Sequence, residues 1–105
     1  MNELSLGNFS KQTVIQLKNG FTLTVDKEAD AAYFTCKNEI GQLFTHEHSS
    51  TILVDFDYDG SLAGIEILNL KTIIPAKLFA SQGSELYEGL TEANMELANL
   101  NSTLS

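Results

Sequence analysis

The run Asp55-x-Asp57-x-Asp59-Gly60, followed after five residues by Glu66, gathers hard oxygen donors at close spacing. This satisfies the pattern of a calcium-binding EF-hand loop, with the glutamate in the bidentate position. The flanking residues argue against that reading. EF-hand loops join two helices, whereas this run sits within residues 51–68, where apolar residues alternate on both sides of a turn. In a hairpin, Asp55, Asp57 and Glu66 share a face, and diagonal neighbours across strands come within about 7–8 Å. A looser cation or small-ligand site is the chemistry that arrangement could support. His46-x-His48 sets two imidazoles on one side of a strand, a spacing metal sites use. No third ligand can be named, so no metal site is assigned. Cys36, the single cysteine, stands in an apolar strand and reads as a small core residue rather than a nucleophile. Neither a nucleophile with a placed base nor a glycine-rich phosphate loop is evident, so the reading is of no enzyme and no cofactor.

The charge balance narrows the partners. Fourteen Asp and Glu stand against six basic residues, a formal net charge of −8, and every basic residue is a lysine. Without arginine there is no planar fork for phosphate or stacked bases, and the net charge repels a phosphate backbone. Nucleic acid and anionic membranes are therefore not expected as partners, while a basic protein or a cation is allowed. The opening Met-Asn-Glu-Leu-Ser-Leu shows no basic region before an apolar run, so no secretory signal is read. No apolar stretch approaches the roughly 20 residues needed to span a bilayer, and one cysteine closes no internal disulfide. A cytoplasmic protein is expected.

The elements that must position these groups follow from the hydrophobic pattern. Residues 1–11 read as a flexible lead-in and 12–105 as a single domain. From Thr13 to Val25 the chain reads as a hairpin turned at Lys18-Asn19-Gly20 with Gly20 left-handed. That loop sets Leu17 opposite Phe21 and Ile15 opposite Leu23 and gathers the apolar residues on one face. Asp26–Asp30 is a charged corner, Ala31–Cys36 a largely buried strand, and Lys37-Asn38-Glu39 a polar turn. A weaker strand lies near Leu43–His48. In the Thr51–Leu68 hairpin a two-residue turn at Asp59-Gly60 pairs Tyr58 with Ser61, Phe56 with Ala63, Val54 with Ile65 and Ile52 with Ile67. One face is then apolar from end to end, and Asp55, Asp57 and Glu66 occupy the opposite, exposed one. Beyond Leu70, Pro75 opens a short helix at Ala76–Ala80, and Gly83-Ser84 breaks and caps a longer one. There Leu86, Leu90, Ala93, Leu97 and Leu100 form an apolar stripe, with Glu85, Glu88, Glu92 and Glu96 elsewhere on the helix. The stripe predicts a helix lying on the sheet, or else one that self-associates into a homodimer. Gly89 weakens this helix. The fold class is α+β: a curved antiparallel sheet of five or six strands with a C-terminal helix, the helical segment spanning 75–100.

Three stretches carry a resemblance. They are Val25-Asp26-Lys27-Glu28-Ala29-Asp30-Ala31-Ala32-Tyr33, then Val54-Asp55-Phe56-Asp57-Tyr58-Asp59-Gly60, then Gly64-Ile65-Glu66-Ile67-Leu68. Together, over about residues 21–70, the chain resembles a family of small bacterial proteins catalogued as domain-of-unknown-function family 2283. The resemblance implies a strand, an Asp-x-Glu-Ala-Asp corner, a tyrosine-bearing strand and a closing hairpin. It implies no activity and no catalytic residue. Some members sit beside small toxin-like proteins, which implies an antitoxin-like role. From their residue types alone, Asp26, Ala29 and Asp30 read as structural, because Asp side chains close tight corners through nearby backbone amides.

The function expected is a non-enzymatic, acidic protein-interaction module, in concrete form an antitoxin or immunity-type inhibitor of a basic partner. The alternative is a cation- or small-ligand-binding module. The candidate partner-binding residues are Glu85, Glu88, Glu92 and Glu96 on the helix, favoured over Asp55, Asp57 and Glu66 on the hairpin.

Overall fold

The computed structural model describes residues 12–36 and 43–104, the side chains of 102–104 excepted. The lead-in 1–11 and the polar turn Lys37-Asn38-Glu39 lie outside the described residues. The strands are β1 (Gln12–Gln16), β2 (Thr22–Asp26), β3 (Ala31–Thr35), β4 (Phe44–Ser49), β5 (Ile52–Phe56) and β6 (Leu62–Ile67). They form one six-stranded sheet in the order β1-β2-β3-β6-β5-β4, antiparallel throughout. A 3-10 segment, Ala76–Gln82, precedes helix α1, Ser84–Leu104. The α+β expectation holds, with six strands.

Register decides which residues face the core. One row across the sheet runs Ile15, Leu23, Phe34, Ile65, Val54. The next runs Val25, Ala32, Ile67, Ile52. From Leu23 to Val54 all of these except Ile15 are buried, and Ile15 packs against the cluster. Helix α1 lies on this face through Leu86, Leu90, Ala93 and Leu97, all buried, with Leu100 partly so. The stripe is thus consumed by the chain's own sheet and offers no surface for the self-association considered above.

The first hairpin turns as expected. Leu17 N–H donates to Phe21 O at 2.9 Å, Ile15 stands opposite Leu23, and Gly20 has φ +84. Asn19 joins it in the left-handed region at φ 63, which Asn tolerates better than most residues. The loop then docks on the helix. Phe21 lies against Gly89, where an added Cβ would come within 2.9 Å of Cε2 of the ring. Gly89 therefore costs helix propensity but gives Phe21 room to reach Phe34, the ring centroids being 5.4 Å apart.

The second hairpin corrects one expectation. Ile52 pairs with Ile67 and Val54 with Ile65 as read, but Phe56 pairs with Leu62 rather than Ala63. Asp57 N–H donates to Ser61 O at 2.8 Å and Gly60 N–H to Asp57 O at 2.9 Å, so the loop is Tyr58-Asp59-Gly60, and Tyr58 does not pair with Ser61. Gly60, at φ +87, supplies the left-handed residue that closes such a loop. Ala63 is the extra residue of a β-bulge, which restores the outer register. Its carbonyl is taken up by Cys36 N–H at 2.9 Å.

The connection to the helix is tied at both ends. Asn94 on α1 accepts from Ile74 N–H at 2.8 Å and donates to Ile74 O at 3.0 Å. Asn101 donates to Leu70 O at 2.7 Å.

Candidate functional site on the open face of the sheet

With the helix on one face, the opposite face of the sheet is left open. One row there runs Val14, Thr24, Tyr33, Glu66, Leu53, Glu47, and its neighbour Gln16, Thr22, Thr35, Gly64, Asp55, Thr45. Alternation along each strand puts these residues on the side away from the core.

A polar network crosses four strands here. The Tyr33 hydroxyl on β3 passes over Gly64 on β6 and donates to Asp55 Oδ2 on β5 at 2.7 Å. The Thr45 hydroxyl on β4 donates to Asp55 Oδ1 at 2.6 Å. Gly64 makes the crossing possible, since a Cβ there would stand 2.5 Å from Tyr33 Cζ. Burial, and then the hydrogen bond to Asp55, push the Tyr33 phenol well above its ordinary value. The phenol is held neutral as a donor, and Asp55 as its acceptor. Beside the ring lies a shallow hollow of about 180 Å³, lined by Thr24, Asp26, Ala31, Tyr33 and Glu66 among others.

The structure separates the residues singled out by spacing. Asp55 and Asp57 are each only 8% exposed, which corrects the expectation of an exposed acidic face for these two. Both Asp55 carboxylate oxygens are engaged by hydroxyls. Asp57 Oδ1 accepts from Tyr58 N–H at 2.7 Å. Asp59 tightens the turn, accepting from Ser61 N–H at 3.0 Å and from its hydroxyl at 2.6 Å. Glu66 stays half-exposed, opposite Tyr33 and Leu53. No buried side-chain polar atom among the described residues lacks a partner. The Asp55–Asp59 run lies in a β-hairpin rather than between two helices, and its side chains close the turn and bridge strands.

His46 stands opposite Val54 at the sheet edge and is exposed. The pairing of β4 shifts between Glu47 and Ser49, leaving His48 as the extra residue, so simple alternation no longer aligns the two imidazoles. Among the described residues, no group of three or more His, Cys, Asp or Glu is placed to hold a metal ion. Cys36 is half-buried and packs against the core.

The helix carboxylates divide as well. Glu92 accepts from Lys18 N–H at 2.7 Å, and Glu88 from Asn19 Nδ2 at 3.3 Å, so both are engaged in fastening the β1–β2 loop. Glu85 is exposed and Glu96 half-exposed.

The motif corner is structural. Asp26 Oδ1 accepts from Ala29 N–H at 3.1 Å. Asp30, at φ 57, reaches across to accept from Leu70 N–H at 3.0 Å, which clamps the end of the β6 hairpin to the β2–β3 corner. Spacing along the sequence did not reveal Tyr33, Thr45 and Gly64 as the groups that surround Asp55. The available signal was a glycine inside an otherwise continuous strand, which often marks close approach by another group.

No described helix is long and apolar enough to cross a membrane. The chain finds no significant match among curated proteins or among solved structures. Residues 23–71 match the family described as "Protein of unknown function (DUF2283)". That span takes in the Asp26–Asp30 corner, Tyr33, Asp55, Gly64, Glu66 and Leu70, which is the clamp and the network just described. This match supports the resemblance to the DUF2283 family over the core of the chain.

Proposed function

We propose that this protein is a non-enzymatic interaction module that engages a basic partner protein through the open face of its sheet. The observation that carries the reading is the charge on that face. Asp26, Glu47 and Glu66 lie on it, Asp55 accepts there from the Tyr33 hydroxyl, and no lysine lies on its strands. The net charge of −8 extends the same bias over the whole chain and favours encounter with a basic surface. Leu53 adds apolar area between Glu66 and Glu47, and Val14, 59% exposed, adds more at the β1 edge. The concrete form is a cytoplasmic antitoxin or immunity-type inhibitor, the role implied by the toxin-like proteins beside some relatives.

The test is capture from native extract on immobilised wild type and on the Glu47→Lys/Glu66→Lys variant, followed by association kinetics with the purified partner. The partner should be basic, and association should slow as salt screens exposed charges beyond roughly 10 Å at a tenth molar. The double reversal should weaken capture mostly through the on-rate, while Glu85→Lys on the helix leaves it near wild type. An acidic partner, or binding indifferent to salt and to the double reversal, would overturn the reading.

A further inference from the structure

The two edges of the sheet are built differently. β4 carries Glu47 and two histidines, and its pairing shifts between Glu47 and Ser49. Charge and bulges are devices that keep a sheet edge from pairing with another chain. β1 has neither: Gln12-Thr13-Val14-Ile15-Gln16 is uncharged, contains no proline, and pairs with β2 in unbroken register. Among the described residues nothing pairs with its outer side.

The direction of the unpaired groups follows from the hairpin. Leu17 turns its N–H toward β2, donating to Phe21 O at 2.9 Å. Inward and outward backbone groups alternate along an antiparallel strand, so Ile15 and Thr13 also face β2. Gln12, Val14 and Gln16 therefore turn their N–H and C=O outward.

We infer that β1 is the interface of a two-fold dimer, in which the β1 strands of two copies pair antiparallel about Val14 and join two sheets into one. The strand reads nearly the same in both directions, as an isologous contact requires. Val14 faces its own copy as a hydrogen-bonded pair, and Gln12 faces Gln16 of the second chain, so all the outward groups named above find partners. On the open face, Val14 packs against Val14 and the glutamine amides meet. On the helix side, Thr13 packs against Ile15, which is half-buried in the monomer. The near two-fold pattern of this uncharged strand selects a second copy as the occupant. A basic partner's strand finds no carboxylate on β1, whereas a second acidic copy meets no charge there, and repulsion from the remaining surface is screened beyond about 10 Å at a tenth molar salt. A single short strand gives an interface at the small end of specific contacts, so the dimer forms in a concentration-dependent manner.

Sedimentation equilibrium from low micromolar to millimolar protein tests this directly. The wild-type mass should climb toward twice that of the chain. Val14→Lys sets like charges across the two-fold axis, and Val14→Pro deletes an outward N–H without removing a bond to β2. Both should stay monomeric throughout and unfold at the wild-type urea midpoint in dilute solution. Amide exchange in the wild type offers a readout that needs no variant: Gln12, Val14 and Gln16 should gain protection as concentration rises. A wild type that remains monomeric at millimolar concentration overturns the inference. So does a dimer that survives both substitutions, or exchange at those three amides that ignores concentration.

Discussion

Replacing Gly64 by alanine should break the network on the open face, and the size of the effect can be worked from the geometry. Gly64 lies opposite Thr35 on β3 and Asp55 on β5, and its φ is not positive, so the backbone itself accepts alanine. The obstacle is Tyr33. The new Cβ would collide with the hydroxyl oxygen and stand 2.5 Å from Cζ and 2.7 Å from Cε2, distances that require the ring to move. Overpacking of this kind costs about 1–3 kcal/mol. Moving the ring also releases its bond to Asp55, a contact to a charged group worth about 1.5–3 kcal/mol. Tyr33 is only half-buried, so water recovers part of the second amount, and a total of about 2–4 kcal/mol is expected. For a domain of this size, that lowers Tm by roughly 10 °C or more. The decisive assay is a double-mutant cycle with Tyr33→Ala, read by urea denaturation and circular dichroism. With the ring gone the clash disappears, and Gly64→Ala should cost nothing or stabilise by about 0.5 kcal/mol, as alanine loses less backbone entropy than glycine. The coupling should then be about 2 kcal/mol. Effects that add to within about 0.5 kcal/mol would show that Tyr33 does not cross Gly64.

Three further outcomes are expected. Val54→Asp places an unpaired charge at a position 3% exposed and should cost several kcal/mol; a variant melting like wild type would refute the β5–β6 register. Because burial and Asp55 stabilise the neutral Tyr33 phenol, its contribution to stability is full below the unfolded value of about pH 10 and falls as pH rises from there toward the higher folded value. Tyr33→Phe should flatten that alkaline decline in pH-dependent urea titrations, and an unchanged slope would argue against the bond. Asn94→Ala leaves the backbone N–H of Ile74 without its partner, at a residue only 1% exposed, while the Ile74 carbonyl keeps the Ala76 N–H at 2.8 Å. It should destabilise by about 1–3 kcal/mol, and a loss under about 0.5 kcal/mol would mean that water replaces the amide.

What the sequence determined by itself was whatever local pattern dictates. Apolar residues at every second position in 52–56, and at spacings of four and three from Leu86 to Leu97, leave one face each to bury, so the outer pairs Val54–Ile65 and Ile52–Ile67 and the helix stripe were legible. Asn19-Gly20 announced its turn for the same reason: few residues tolerate that backbone. The loop at Asp59-Gly60 is one residue longer than alternation predicts, because the bulge at Ala63 offsets the extra loop residue and leaves the outer pairs unchanged, and alternation cannot see a bulge that compensates. Which carboxylates are accessible was decided only in three dimensions. Asp55 reads as a surface residue until β3 and β4 arrive on either side and supply the Tyr33 and Thr45 hydroxyls. Glu88 and Glu92 read as free helix charges until the distant β1–β2 loop docks on them. Those partners come from strands and loops far apart in the chain, and side-chain burial depends on which elements become neighbours, a quantity that no local spacing encodes.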